Sequence, residues 1–128
     1  MILLLDTSTP LCQLTLVKNE RRYDYSWQAD RQLAKGLLKF IVDSLAEHNL
    51  AIPQLDGLVF MKGPGSFTGL RIGATVLNTM AEFENIPIVG TRGPEWQQNG
   101  LELLKSGHNQ RLIIPDYGRD ARITTPRK

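Results

Sequence analysis

The period of the apolar residues changes once near the start of this chain, and that change limits the folds open to it. Apolar and polar residues alternate through residues 12–17 and 23–27, which is typical of half-buried β-strands. Beyond them Leu33, Leu37 and Ile41 recur every four residues, as on one face of an α-helix. The sequence therefore predicts an α/β fold in which a strand meander precedes the first helix.

Further apolar segments, separated by turns, complete the predicted order βββαβαβα. This order places strands at residues 2–5, 12–17, 23–27, 56–61 and 86–89 and helices at 31–49, 67–84 and 94–105, and a last strand is predicted after it at 111–114. Residues 121–125 are predicted to pair with the last strand as a hairpin. Because helices connect the later strands, those strands must run parallel, so we expect one mixed sheet, antiparallel at first and parallel later.

Length and composition indicate one ordinary globular domain. The chain has 128 residues, of which 41% are hydrophobic and 22% charged. No apolar run approaches the roughly 18 residues of a membrane span, and the opening apolar residues lack the flanks of a signal peptide. A net charge of +2 does not indicate nucleic-acid binding. We therefore expect a cytoplasmic protein without a membrane segment.

A glycine-rich segment separates the continuously apolar strand predicted at 56–61 from the helix predicted at 67–84. Gly65, Gly69 and Gly73 recur every four residues, and Ser66 stands where a helix N-cap is expected. Glycine inside a helix is about 0.5–1 kcal/mol less favourable than alanine, so the spacing predicts close packing against another backbone. Direct anion binding at the helix N-terminus is the alternative. The segment lacks the Lys-Ser/Thr of a phosphate-binding loop, and Pro64 breaks the pattern of a nucleophile elbow.

Other polar residues give weaker indications of chemistry. The acid and hydroxyls of residues 6–9 follow the first strand, where they could hold a metal-bound phosphate, but a self-bonded turn is the favoured interpretation. His48 and His108 have no partner at metal-ligand spacing. Cys12 is interpreted as a core residue, and Trp27 and Trp96 as packing anchors. No catalytic residue and no metal ligand is predicted.

Both long helices are too apolar for a helix that covers a sheet on one side only. On a helical wheel the non-polar arc of residues 67–84 spans roughly 220°, whereas a surface helix shows a little over 100°. The helix at 31–49 has a similarly wide arc. We hypothesise that the second side binds a partner chain; the alternative is that the helices cover each other and the sheet. The predicted interface comprises Leu33, Leu37, Phe40, Ile41, Arg71, Ile72, Val76, Met80 and Phe83.

Several segments together resemble the bacterial TsaB (YeaZ) family. Residues 2–9 with Cys12 are similar to the start of these proteins, and residues 86–90 to a later strand. The most specific match is the motif formed by Gly63, Pro64, Gly65, Ser66, Phe67, Thr68, Gly69 and Gly73. The resemblance extends in order and spacing over about residues 1–115.

The resemblance implies an actin-like, ribonuclease H-like lobe at residues 1–115. It implies a non-catalytic scaffold subunit that binds and activates the transferase TsaD, which forms N6-threonylcarbamoyladenosine at position 37 of tRNAs reading ANN codons. TsaB pairs with TsaD through two helices, here 32–49 and 67–84, and self-associates through the same surface. ATP and metal are expected in partner subunits and no cofactor in this one. A TsaE-type ATPase and tRNA would meet this chain through the complex.

Two features depart from the family pattern and leave alternatives open. Residues 116–128 are either the start of a second lobe or a flexible basic tail. The first helix begins with Asp30 and Arg31, where many relatives carry a histidine, so partner choice could differ. A small actin-like ATPase or kinase, or a peptidase-like relative, are the alternative functions.

Overall fold

A five-stranded mixed β-sheet forms the middle layer of the structure, a computed structural model that describes residues 1–117. The strands are β1 (Ile2–Asp6), β2 (Leu11–Lys18), β3 (Arg21–Gln28), β4 (Gly57–Met61) and β5 (Ile88–Thr91), and the helices are α1 (Leu33–Ala46), α2 (Phe67–Glu84) and α3 (Trp96–Lys105). The spatial order of the strands is β3-β2-β1-β4-β5. β1, β2 and β3 pair antiparallel, whereas β4 pairs parallel with β1 and β5. The predicted α/β class and mixed sheet are confirmed.

Helices cover both faces of the sheet. α1 and α2 pack on the face that carries Leu3, Leu5 and Phe60. α3 packs on the opposite face, against Leu4 and Val59. β4 is buried at every position, which explains why its sequence is continuously apolar rather than alternating. Within residues 1–117, no helix has the length and hydropathy needed to cross a bilayer.

The predicted elements up to α3 are present, with small shifts at their ends. α2 has the predicted bounds, and α1 is preceded by a 3₁₀ turn at Asp30–Gln32. β5 begins two residues later than expected, at Ile88. Pro87 has no backbone N–H, so it cannot donate a hydrogen bond to a neighbouring strand. Its carbonyl still accepts a hydrogen bond from the Leu58 amide at 2.9 Å.

The predicted strand at 111–114 is wrong. Arg111 has a φ of +67°, which breaks an extended run. Ile113 is buried, but both its backbone groups bond to the side chain of Asn78, at 2.8 and 3.0 Å, instead of to a neighbouring strand. A buried apolar residue in a strand-like pattern is therefore held here by a helix. The hairpin partner predicted at 121–125 lies outside the described residues.

The edge of β5 is covered by Asn109 and Gln110, which come just before residues 111–114. The Ile88 amide donates to Asn109 Oδ1 at 3.1 Å, and the Gly90 amide donates to Gln110 Oε1 at 3.0 Å. The Gln110 amide in turn donates to the Ile88 carbonyl at 2.8 Å. These bonds satisfy edge groups that another strand would otherwise occupy.

Candidate partner surface

The glycines of α2 pack directly on the turn that follows β1. A Cβ added at Gly69 would overlap the carbonyl oxygen of Thr7, and one at Gly73 would overlap the Thr7 hydroxyl. A Cβ at Gly65 would overlap Ser8 in the same way. Thr7 Oγ1 also donates to the Gly69 carbonyl at 2.7 Å. The close packing predicted from the glycine spacing is confirmed.

Two capping arrangements hold this junction together. Ser66 Oγ accepts from the Gly69 amide at 3.1 Å, as expected of the N-cap, and the Ser66 amide donates to the Ser8 carbonyl at 2.8 Å. Asp6 Oδ1 accepts from the Ser8 amide at 2.9 Å and from the Ser8 hydroxyl at 2.6 Å. Residues 6–9 thus form the self-bonded turn, and the family motif positions the start of α2 on β1.

α1 and α2 run side by side in the same direction. Both are crossovers between strands that point the same way, so both return antiparallel to the sheet. Their first turns are adjacent, since Ala34 lies beside Ile72 and Gly69 in one surface depression. The two helices therefore present a common outer surface to solvent.

That outer surface is apolar along most of its length. Leu38 is 52% exposed, Val42 44% and Phe83 81%. A shallow groove of about 240 Å³ lies between the first halves of the helices, and its lining consists of Ala34, Arg71, Ile72, Thr75 and Val76. We call the apolar members of this surface the partner face: Ala34, Leu38, Val42, Ile72, Val76 and Phe83.

Four residues predicted for the interface are instead buried in the core. Leu37 and Ile41 are fully buried, and Leu33 and Met80 are 7% and 5% exposed. All four belong to the cluster between the helices and the sheet. No partner can contact them while the sheet covers them, so their assignment to a surface is corrected.

The other predicted interface residues are accessible, but not all lie on the partner face. Phe40 is half-buried and stacks on Trp27 of β3, with ring centroids 5.5 Å apart. Arg71 is exposed beside the groove, 5.7 Å from the Phe67 ring centroid. Ile72 and Val76 are half-buried in the groove.

The predicted interface omitted the exposed apolar residues of α1. Ala34, Leu38 and Val42 recur every four residues and are all exposed. That stripe was already visible as helical spacing next to the Leu33–Leu37–Ile41 stripe. Only the direction of the sheet shows which of the two neighbouring stripes is covered.

A second exposed apolar group lies along the segment after α3. Leu112 is 61% and Ile114 72% exposed. Tyr117 packs against Phe67, with ring centroids 4.4 Å apart, and an ion pair joins Asp116 to Arg92. The predicted tail or second-lobe start at 116–128 lies mostly beyond the described residues.

The remaining candidate groups have structural roles. Burial, and secondarily the charge of Asp6, raise the pKa of the Cys12 thiol to about 12, which suits a core residue. Trp27 packs against Gly36 and Trp96 against the α3-side core, so both are packing anchors as predicted. In the described part of the chain, no group of three His, Cys, Asp or Glu residues is placed to hold a metal ion.

A hydrogen bond joins a serine to a histidine at the end of α3. Ser106 Oγ lies 3.0 Å from His108 Nδ1 and also within 3.1 Å of the Glu102 and Leu103 carbonyls. A serine hydroxyl that faces the last carbonyls of a helix acts as a cap. This exposed pair has the geometry of a helix end rather than of an activated nucleophile.

Comparison with known proteins agrees with these features. The sequence model of the family described as TsaD, tRNA N6-adenosine threonylcarbamoyltransferase, matches residues 27–94. The TsaB protein of Haemophilus influenzae is 36% identical over 88 residues, which cover 69% of this chain and 37% of that protein. The TsaB protein of Escherichia coli is 27% identical over 128 residues, covering 93% of this chain and 55% of that protein.

Solved structures show the same lobe. YeaZ from Pseudomonas aeruginosa superposes with a TM-score of 0.66 at 33% identity, over 71% of this chain and 43% of that one. Another structure from that organism, described as similar to peptidase YeaZ, gives a TM-score of 0.67 at 33% identity, over 71% of this chain and 42% of that one. The actin-like, ribonuclease H-like fold is confirmed.

The family match and the relatives converge on one assignment. The matched segment runs from β3 through α1, β4 and α2 to β5, so it includes the glycine motif and both helices of the partner face. The chain spans between 37% and 55% of the length of the two TsaB proteins described above. It therefore belongs to the threonylcarbamoyltransferase (TsaD) family and, within it, is a TsaB-type member.

Proposed function

We propose that this chain is a non-catalytic subunit of the complex that forms N6-threonylcarbamoyladenosine in tRNA, and that it binds and activates a TsaD-type transferase through the partner face. The observation that supports this most is the exposed apolar surface on α1 and α2. Contiguous apolar patches of this kind mark protein-binding sites in soluble proteins. The relatives named for this modification pathway make a transferase chain the natural occupant.

The partner face suits a pair of helices from another chain. Two parallel helices with an apolar groove between them offer the ridges and hollows into which a second helix pair packs. Burying a single leucine or valine side chain contributes about 1.5–3 kcal/mol. Leu38, Val42 and Phe83 together can therefore supply a large share of the binding free energy.

We place the chemistry in the partner subunits. One oxygen of Asp6 already accepts hydrogen bonds from the Ser8 amide and hydroxyl. The space beside the glycines of the motif is filled by the turn against which they pack. Neither feature is shaped to receive a phosphate. ATP, metal and a TsaE-type ATPase are accordingly assigned to the rest of a cytoplasmic complex, and tRNA meets this chain through it.

A matched pair of leucine substitutions tests the proposal. Leu38 lies on the partner face and Leu112 lies elsewhere, and both are more than half exposed, at 52% and 61%. Leu38→Asp should weaken binding to the threonylcarbamoyltransferase of the same organism at least roughly tenfold, because it places a charge in a desolvated contact. Leu112→Asp should leave the dissociation constant, measured by titration calorimetry, within about twofold.

Two results would contradict the proposal. Equal binding by both variants, with unchanged circular dichroism, would show that α1 and α2 do not carry the contact. Hydrolysis of ATP with magnesium by the purified chain alone, at enzymatic rates, would favour the actin-like ATPase instead.

A further inference from the structure

The charged residues of α1 and α2 are segregated along the helices. α1 carries Lys35 and Lys39 in its first half and Asp43 in its second. α2 carries Arg71 near its start and Glu82 and Glu84 in its last turn. Because the helices run in the same direction, one end of the partner face is basic and the other acidic.

This order opposes the backbone of the helices themselves. A helix N-terminus is partly positive and favours acidic side chains, whereas its C-terminus favours basic ones. Neither α1 nor α2 has an acidic residue in its first turn or a basic residue in its last. Apart from the Lys39–Asp43 pair of α1, these charges do not stabilise their own helices, so their placement calls for another explanation.

Charges of opposite sign are exposed at the two ends of the partner face. Arg71 lines the groove, whereas Glu82 and Glu84 lie beyond it in the last turn of α2. Lys39 and Asp43 bond to each other at 2.6 Å across one turn of α1, whereas no such pair within the described residues involves Arg71, Glu82 or Glu84. The charges at both ends are thus available to a partner chain.

We infer, on the basis of the proposed function, that these charges fix the direction in which the transferase-type partner docks. The partner must present acidic groups to the Lys35 and Arg71 end and basic groups to the Glu82 and Glu84 end. The apolar residues of the partner face supply affinity and tolerate sliding, whereas opposite charges at the two ends of that face select one orientation and raise the rate of encounter.

Charge reversal at each end tests the inference in the full chain. Lys35→Glu with Arg71→Glu, and separately Glu82→Lys with Glu84→Lys, should each weaken binding to the transferase of the same organism roughly ten- to a hundredfold. Lys18→Glu, a reversal at the exposed end of β2, is the control and should change binding less than twofold. The wild-type affinity should also fall as salt is raised.

A stability measurement separates this role from a merely structural one. Glu82→Gln with Glu84→Gln removes unfavourable charges from the α2 C-terminus, so the melting temperature of the isolated chain should rise by about 2–5 °C while partner binding weakens. A lower melting temperature would show that the acids serve the fold and would overturn the inference.

The remaining outcomes distinguish the two proposals. If both reversals leave binding intact while Leu38→Asp abolishes it, the partner face stands and the charge inference fails. If Leu38→Asp also has no effect, the proposed function itself fails. If the reversals remove only self-association in sedimentation experiments, the charges serve a second copy of this chain, which overturns the inference.

Discussion

Single residues in this chain are explained by contacts that are distant in sequence. Gly69 and Gly73 are glycines because the Thr7 carbonyl and hydroxyl occupy the space of a Cβ. Asn78 faces a backbone segment 35 residues away and satisfies both groups of Ile113. The identity of each of these residues is set by its neighbour across the fold.

The close approach at Gly69 predicts a large effect of a small substitution. Gly69→Ala adds a methyl group where α2 meets Thr7, so it should lower the free energy of unfolding by about 1–3 kcal/mol despite alanine's better helix propensity. Thr68→Ala, at the exposed neighbouring position, is the control and should stay within about 0.5 kcal/mol. Urea denaturation measures both, and an unchanged midpoint for Gly69→Ala would contradict the packing described above.

The buried thiol of Cys12 predicts a pH dependence of stability. An ordinary cysteine loses its proton near pH 9.0, whereas the pKa of Cys12 in the folded chain is about 12. Between these values the folded state binds more protons than the unfolded state, so the free energy of unfolding falls as pH rises, by about 1.4 kcal/mol per pH unit at most. Cys12→Ala should remove this part of the slope in urea titrations between pH 9 and 10.5. Identical slopes in both proteins would show that the thiol is not protected.

At the scale of elements, α2 organises much of the lobe. Its start is seated on the β1 turn, its body packs on the sheet, and Asn78 holds the segment after α3. The sequence predicted a strand at 111–114, but the structure has an irregular segment there, which α2 anchors through Ile113. The position of Ile113 therefore depends on α2 rather than on the β propensity of its own segment.

Removing the Asn78 side chain should release that segment. Asn78→Ala deletes the bonds to both backbone groups of Ile113, which should cost about 1–2 kcal/mol and speed amide exchange at Ile113 by roughly tenfold. Asn99→Ala, the same change at an exposed position of α3, serves as the control. Hydrogen exchange followed by NMR measures the difference, and equal exchange rates would mean that other contacts hold the segment.

At the scale of the whole molecule, each long helix has one side toward the sheet and one toward solvent. Leu37 is fully buried and Leu38 is 52% exposed, although they are adjacent and chemically identical. The division into core and partner face thus runs between neighbouring residues. It is the feature on which both the stability and the proposed binding depend.

Truncating these two leucines should separate stability from binding. Leu37→Ala should lower the free energy of unfolding by about 2–5 kcal/mol, because it opens a cavity beneath α1. Leu38→Ala should change it by less than about 1 kcal/mol but weaken partner binding. Thermal unfolding together with calorimetric titration checks both effects. A loss of more than about 1 kcal/mol in the free energy of unfolding for Leu38→Ala would place that residue in the core and contradict the partner face.

The sequence by itself determined the features that depend on near neighbours. Strand and helix periods, the N-cap at Ser66 and the self-bonded turn at residues 6–9 follow from side chains within a few positions of one another. The continuous apolar run at residues 56–61 likewise indicated a strand buried on both faces, and β4 is buried at every position. These properties are local, so a linear pattern contains them.

Only the tertiary structure decided which way each helix faces. The sequence predicted a wide apolar arc on α1, but which part of that arc met the sheet depended on the position of strands elsewhere in the chain. For the same reason Met80 was assigned to a surface although it lies in the core, and residues 111–114 were assigned to a strand although Ile113 bonds to Asn78 of a helix. Burial and long-range hydrogen bonds depend on residues far apart in the chain, and a local pattern carries no information about their direction.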